Sequence, residues 1–263
     1  MEKQFASGYQ RNEDGWILFP RDQAERKSLF YPEEVMEHPA KMNFHLQQAI
    51  IEYIADEGQV LLDPFGGTGT LMIAALQGMR VILIDIEEGY HQLQQEALTN
   101  LRAELPEAAE LITLLHGDCR FTLPIPCNHI ITSPPYAQAL WDDRTLKGRE
   151  FDSIYETLKA YNRDSRNLSR LNQFLYNQAM EKVYSLCYDS ILPGGTLTTV
   201  TKDRIVKRER VLLSKWIDKV CVGLGFRLEL WEKWLAPGHA FKSVQRSRGD
   251  TVVDDEDIMC WRK

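Results

Sequence analysis

Short apolar runs alternate with longer amphipathic stretches over most of the chain, and the alternation predicts strands interleaved with helices. VLLD at 60–63, RVILID at 80–85, Leu111 to Leu115, His129 to Thr132, TLTTVT at 196–201, FRLELWEKW at 226–234 and DIMCWR at 257–262 read as strands. Helical spacing covers NFHLQQAIIEYIAD from Asn43, a candidate N-cap, with Leu46, Ile50, Ile51 and Ile54 on one face. It also covers TLMIAALQG at 70–78 and Glu88 to Glu104, where Tyr90, Leu93, Ala97 and Leu101 face inward and Pro106 is the stop. Leu171 to Ile191 and about Arg208 to Val222 are read as helices too. Residues 1–37 are polar with scattered aromatics and read as an irregular arm. Periodicity fails again over 137–170, as suits a loop-rich insertion over a site.

This order predicts an α/β fold, a doubly wound, mostly parallel sheet. Its last two strands have no helix between them and should form an antiparallel hairpin at one edge. In such a sheet ligands bind beyond the carboxyl ends of the strands. Asp63, Asp85, Asp118 and Ser133 all fall at such ends.

Composition narrows the possibilities. At 263 residues and 44% hydrophobic, the chain suits one domain with insertions. The N-terminal residues lack the apolar core of a signal peptide and no apolar run approaches a membrane span, so a soluble, cytoplasmic protein is expected. Cys119, Cys127, Cys187, Cys221 and Cys260 form no CxxC pair, and the six histidines show no ligand spacing, so no metal is expected and the thiols should be reduced and buried. The net charge of −7 argues against a protein that coats nucleic acid. A local basic face is nonetheless expected at 202–215, where six basic residues face Asp203 and Glu209.

The chemistry centres on VLLDPFGGTGT, Val60 to Thr70. Glycines at 66, 67 and 69 between a strand and a helix let a ligand approach the main chain closely and meet unpaired amides. Asp85 ends the next strand, where a carboxylate can accept from two ribose hydroxyls, and Asp118 ends the third, where it can accept from an adenine amino group. Each aspartate can alternatively cap a turn. Neither GxGxxG nor a GK[ST] ending is present, so adenosine without phosphates fits best, and S-adenosylmethionine is the common cofactor of that kind. SPPY at 133–136 is a rigid turn offering the Ser133 hydroxyl and the Pro134 carbonyl as acceptors beside the Tyr136 ring. Two fixed acceptors suit a conjugated amino group, whose lone pair is freed when its hydrogens are held out of the ring plane.

DPFGGTGT (63–70), IDIEEGY (84–90), GD (117–118), TSPPY (132–136), HPAKMN (38–43) and the pair Gly225–Phe226 together resemble the DNA cytosine-N(4) and adenine-N(6) amino-methyltransferases. The resemblance covers most of residues 38–263. It implies a seven-stranded, Rossmann-like sheet of class I methyltransferase type, with S-adenosylmethionine held by Lys41, Asp63, Phe65, Gly66, Gly67, Thr68, Gly69, Thr70, Asp85, Ile86, Asp118 and Cys119. It implies a catalytic turn of Ser133, Pro134, Pro135 and Tyr136 and a target base flipped out of duplex DNA. The serine before PPY leans towards cytosine. Lys202, Arg204, Lys207, Arg208 and Arg210 are the expected DNA contacts. The domain reading is an arm at 1–37 and a methyltransferase domain at 38–263, with the 137–170 insertion serving target recognition. A cognate restriction enzyme is a further expected partner. RNA or a protein glutamine as substrate, or a catalytically silent module of the same fold that binds nucleic acid, are the rival readings.

Overall fold

Most of the predicted strands are short and apolar on both faces, as strands covered by helices on two sides must be, whereas FRLELWEKW alternates and is only partly buried. In the computed structural model, which describes residues 3–37, 41–136, 164–206, 209–236 and 252–263, these runs form β1 (Val60–Asp63), β2 (Arg80–Asp85), β3 (Ile112–His116), β4 (Cys127–Thr132), β5 (Ile191–Thr201), β8 (Arg227–Leu235) and β9 (Asp255–Arg262). They make one seven-stranded sheet in the order β3-β2-β1-β4-β5-β9-β8. The first five strands in that order are parallel, and β9 runs antiparallel to both β5 and β8. The chain moves outward from β1 to β3, then returns to add β4 on the other side. That reversal puts the switch point between β1 and β4.

Successive residues feed two cores, one on each face of the sheet. Leu61, Val81, Leu83, Ile131, Ile258 and Cys260 join one core, with the helix α3 (Phe44–Ile54) and the helix α4 (Glu88–Glu104). Leu62, Ile84, Ile130, Met259 and Trp261 join the other, with α7 (Gln173–Ser190) and α8 (Leu213–Gly223). The Asn43 side chain accepts from Leu46 N at 3.1 Å and so caps α3 as expected. Pro106 ends α4 but also opens the single turn α5 (Pro106–Ala109), and a second single turn, α6 (Cys119–Thr122), follows β3.

Four segments differ from the sequence reading. Residues 3–37 are not simply irregular. They hold α1 (Gln23–Lys27) and α2 (Glu33–Glu37) and bury Phe5, Ile17, Phe19, Phe30, Tyr31 and Val35 in the first core. Ile17 N donates to Lys233 O at 2.8 Å and Leu235 N to Ile17 O at 3.0 Å, so the arm extends the hydrogen bonding of β8. The segment after the glycine turn is a 3₁₀ helix, Thr70–Gln77, confined between Gly69 and Gly78, both with positive φ. The PGG turn lies within β5 at an irregularity opposite β4, where a side chain on Gly195 would collide with Asn128 O. The start of the 208–222 helix is replaced by a hairpin of β6 (Arg204–Val206) and β7 (Glu209–Val211), and the helix begins at Leu213. Residues 137–163 of the expected insertion, His38, Pro39 and Ala40 of HPAKMN, and Lys207 and Arg208 lie outside the described residues.

Candidate functional site

The glycine turn is folded back on its own strand pair. Gly66 N donates to Ile84 O at 2.8 Å, and Gly67 N donates to the Asp85 carboxylate at 2.7 Å. Gly67 and Gly69 have φ of +50° and +80°, a region open to glycine at little cost. Behind the turn, the fully buried Gln94 donates its amide to Gly67 O at 2.8 Å. A Cβ on Gly66 would meet that amide at 2.9 Å and Leu83 at 3.1 Å, so a larger residue there would displace the Gln94 amide from the turn. The arm contributes Tyr31, whose hydroxyl donates to Thr70 O at 2.9 Å.

All three strand-end aspartates are buried, and each caps a turn. Asp63 accepts from Phe65 N at 2.9 Å, Asp85 from Glu87 N at 2.9 Å as well as from Gly67, and Asp118 from Arg120 N at 3.0 Å. Capping and ligand binding are therefore not alternatives here, since the same turns hold the carboxylates at the strand ends. Burial raises the Asp63 carboxyl to about 7, against the opposing hydrogen bonds from Thr132 and Phe65, and Asp85 adds to the rise. Burial likewise raises Asp85 to about 6, against its two backbone hydrogen bonds. Among the described residues neither pairs with a lysine or arginine. Two adjacent buried carboxylates without a cation leave negative charge that a positively charged ligand would offset. Asp118 differs, because the Arg120 guanidinium lies across both its oxygens at 2.5–3.1 Å.

Phe65, Ile86 and Gly67 are half-buried around these aspartates, whereas Gly66, Thr68 and Gly69 are buried and Thr70 is partly open. Cys119 is buried, and burial pushes its thiol up to about 12, which makes it an inert wall. Lys41 donates to Met36 O at 2.8 Å, and burial lowers its ammonium below the ordinary lysine range.

The SPPY turn leaves the end of β4, next to β1. Thr132 Oγ1 donates to Asp63 Oδ1 at 2.6 Å, a direct tie between this turn and the glycine turn. Ser133 is exposed, Pro134 buried, and Pro135 and Tyr136 half-buried. Two bonds brace the turn from behind. Tyr176 on α7 donates its hydroxyl to Pro135 O at 2.6 Å, and Lys202 N donates to the Tyr136 hydroxyl at 3.2 Å. Tyr136 is thereby fixed at its far end with its ring beside the turn, and burial raises its phenol far above the ordinary value.

The structure brings together the glycine turn, Asp85, Asp118 and SPPY, but spends much of the basic segment elsewhere. Arg210 donates to Asp203 at 2.8 Å and to Asp255 at 2.6 Å, both carboxylates being buried. Lys202 lies 3.7 Å from Glu256. Arg204 lies on β6. The sequence reading missed Gln94, Thr132, Tyr31, Tyr176, Glu87 and Asn167. Only Thr132, inside TSPPY, and Glu87, inside IDIEEGY, carried a local signal.

Among the described residues no group of three His, Cys, Asp or Glu could hold a metal ion, and no helix is long and apolar enough to cross a membrane. All five cysteines are buried and free.

Comparison with known proteins bears on the same elements. YubD of Escherichia coli (strain K12), a methylase by name only, is 34% identical over 73 residues, 27% of this chain and 32% of that protein, so the match spans about a third of its length. TrmN from Thermus thermophilus superposes with a TM-score of 0.52 at 16% identity, over 86% of this chain and 50% of that one. The glycopeptide N-methyltransferase MtfA complexed with sinefungin gives 0.51 at 14% identity, over 89% and 90%. At such identities these likenesses show the fold alone, a seven-stranded, mostly parallel sheet with an antiparallel closing hairpin. Residues 6–96, from the arm through the glycine turn and Asp85 into α4, match a family model described as DNA methylase, of N6/N4 type.

Proposed function

We propose that the protein is an S-adenosylmethionine-dependent DNA methyltransferase acting on an exocyclic amino group, cytosine N4 in preference to adenine N6. The observation that carries this reading is the Thr132–Asp63 hydrogen bond, which fixes an amino-accepting turn against a buried, anionic glycine turn at the switch point of the sheet. The family match over residues 6–96 supports the cofactor half.

The residues suit the cofactor. Asp63 and Asp85 supply uncompensated negative charge for a ligand bearing an ammonium and a sulfonium. Asp85 is also placed to accept from ribose hydroxyls, with Ile86 and Cys119 as apolar walls for the adenine. Thr68, Gly69 and Thr70 line the approach to the main chain, and Lys41 stands at the end assigned to the carboxylate. When bound, S-adenosylmethionine supplies an electrophilic methyl group. The Ser133 hydroxyl and the Pro134 carbonyl would accept the two amino hydrogens of the target base and hold them out of the ring plane, which frees the nitrogen lone pair from conjugation. Tyr136 stacks on the base and sets its distance. The serine at 133 supports cytosine through the family resemblance alone; a hydroxyl oxygen accepts from either base. The 137–170 segment and the basic 202–210 segment are assigned to target contact, with a flipped nucleotide entering the turn.

A methyl-transfer assay with labelled cofactor, offered duplex DNA, RNA and protein together, tests the reading. Label in DNA is expected, and sequencing of DNA from expressing cells for modified bases then reports the base and its context. Label in RNA or protein with none in DNA refutes it, and cofactor binding without any transfer favours a silent module.

A further inference from the structure

Two residues beyond Asp85 and two beyond Asp118, the chain carries side chains that do not face the proposed ligand. Both instead grip one turn at 164–167. Glu87 is 3% exposed, and its carboxylate accepts from Asn167 Nδ2 at 2.6 Å and from Asp164 N at 3.1 Å. Arg120, already across Asp118, donates from Nη2 to Arg166 O at 2.9 Å. The turn is itself well built. Asn167 N donates to Asp164 O at 3.2 Å, Asn167 Oδ1 accepts from Ser169 N at 2.9 Å, and Leu168 is buried in the second core. Glu87 also donates its backbone N–H to Asp85 Oδ1. One residue therefore contacts both the carboxylate assigned to the ribose and a segment about eighty positions away.

We propose that Glu87 is a positioning residue, which fastens the 164–167 turn as the outer wall of the adenosine end of the cofactor site and holds Asp85 in register with it. The inference rests on the proposed cofactor reading. A carboxylate is suited to this place because the turn presents two donors, an amide NH₂ and a backbone N–H, to a buried position, and an acceptor with two oxygens satisfies both. An amide at 87 would offer one oxygen to two donors. The bond from Asn167 is charge-assisted, and its loss leaves a buried donor without an acceptor.

The test compares wild type, Glu87→Gln, Asn167→Asp and the double variant by calorimetry with S-adenosylmethionine and by steady-state methyl transfer. Glu87→Gln is expected to raise the cofactor Kd and KM about tenfold, while kcat at saturating cofactor stays near wild type. Asn167→Asp, which sets two carboxylates face to face, is expected to weaken binding further. The double variant restores donor and acceptor in reversed roles and should recover most of the affinity, which a generally loosened fold would not do. Unchanged affinity in Glu87→Gln, or no recovery in a folded double variant, overturns the assignment. Hydrogen exchange of wild type gives a reading free of substitutions. Slowed exchange of the 164–168 amides on adding cofactor is expected, and unchanged protection counts against the wall. If wild type binds no S-adenosylmethionine, the cofactor reading fails first; if it binds and the variants are indifferent, only the role of Glu87 fails.

Discussion

Asp63→Asn exchanges a buried carboxylate for an amide of the same shape and keeps an oxygen for the donors at Phe65 N and Thr132 Oγ1. Burial raises the Asp63 carboxyl from 3.8 to about 7. Between those values the native state holds a proton that the unfolded chain has released. Stability therefore falls as pH rises through the window and levels off above it. At about 1.4 kcal/mol for each tenfold change, the full rise corresponds to roughly 4 kcal/mol of lost stability near pH 8, of which about 1.5 kcal/mol is already lost near pH 5. The asparagine variant is free of this cost, so urea denaturation should show it gaining roughly 2–3 kcal/mol more over wild type near pH 8 than near pH 5. Ligand linkage provides the second arm. S-adenosylmethionine at a hundred times its Kd should stabilise wild type by about 2.7 kcal/mol and the variant by little, because the charge that attracts the ligand is gone. A gain that does not depend on pH, or a loss of stability at both pH values, would refute the claim that Asp63 carries an uncompensated buried charge held for a cationic ligand.

Removing the hydroxyl that ties the two turns, Thr132→Val, should cost about 1–3 kcal/mol in urea denaturation and lower methyl transfer, with Thr132→Ser recovering both; a neutral valine variant would deny the tie its role. Ser133→Ala should abolish methyl transfer while calorimetry shows cofactor binding largely kept, and transfer at the wild-type rate would remove Ser133 from the catalytic turn. Arg210→Ala should destabilise the protein by about 3 kcal/mol, since it strips a partner from buried Asp203 and Asp255. Although burial raises Asp255, hydrogen bonds from Arg210 and Lys233 hold it at about 2. The stability they confer is present above 3.8 and lost as pH falls through about 2, so without Arg210 acid unfolding should begin at higher pH. An unchanged acid limb would leave Arg210 available for DNA instead.

The inner strands were legible because each contains a run of buried residues between turn signals, and the alternation of Leu61 with Leu62 and of Ile130 with Ile131 between two cores follows from a pleat covered on both faces. The N-terminal arm was not legible for a physical reason. Its core residues, among them Phe5, Ile17 and Tyr31, plug separate gaps, and helices of five residues are too short to display a period. The segment from about Arg208 read by spacing as the start of a helix. It is a hairpin because Arg210 finds its partners at Asp203 and at Asp255, 45 residues further on, and sequence spacing carries no trace of that second partner.

The same distinction divides the site. Many of the residues expected to touch a ligand come in consecutive runs, as in GGTGT and SPPY, because a turn must present several backbone groups at once, and Asp85 and Asp118 were legible because each ends a strand. Residues that hold the turns are scattered, because a support needs only one side chain from whichever element lies behind. Gln94 reaches Gly67 across 27 positions, Tyr176 reaches Pro135 across 41, Thr132 reaches Asp63 across 69 and Asn167 reaches Glu87 across 80. The last two ties join the residues up to 96, where the family pattern matches, to residues beyond it, where the acceptor turn lies. A glycine turn shared by methylases says little about which atom receives the methyl group. In the proposed function, what directs the chemistry towards an amino group is the position of SPPY relative to that turn, and Thr132, hydrogen-bonded to Asp63, is the residue through which a change in either half would be felt in the other.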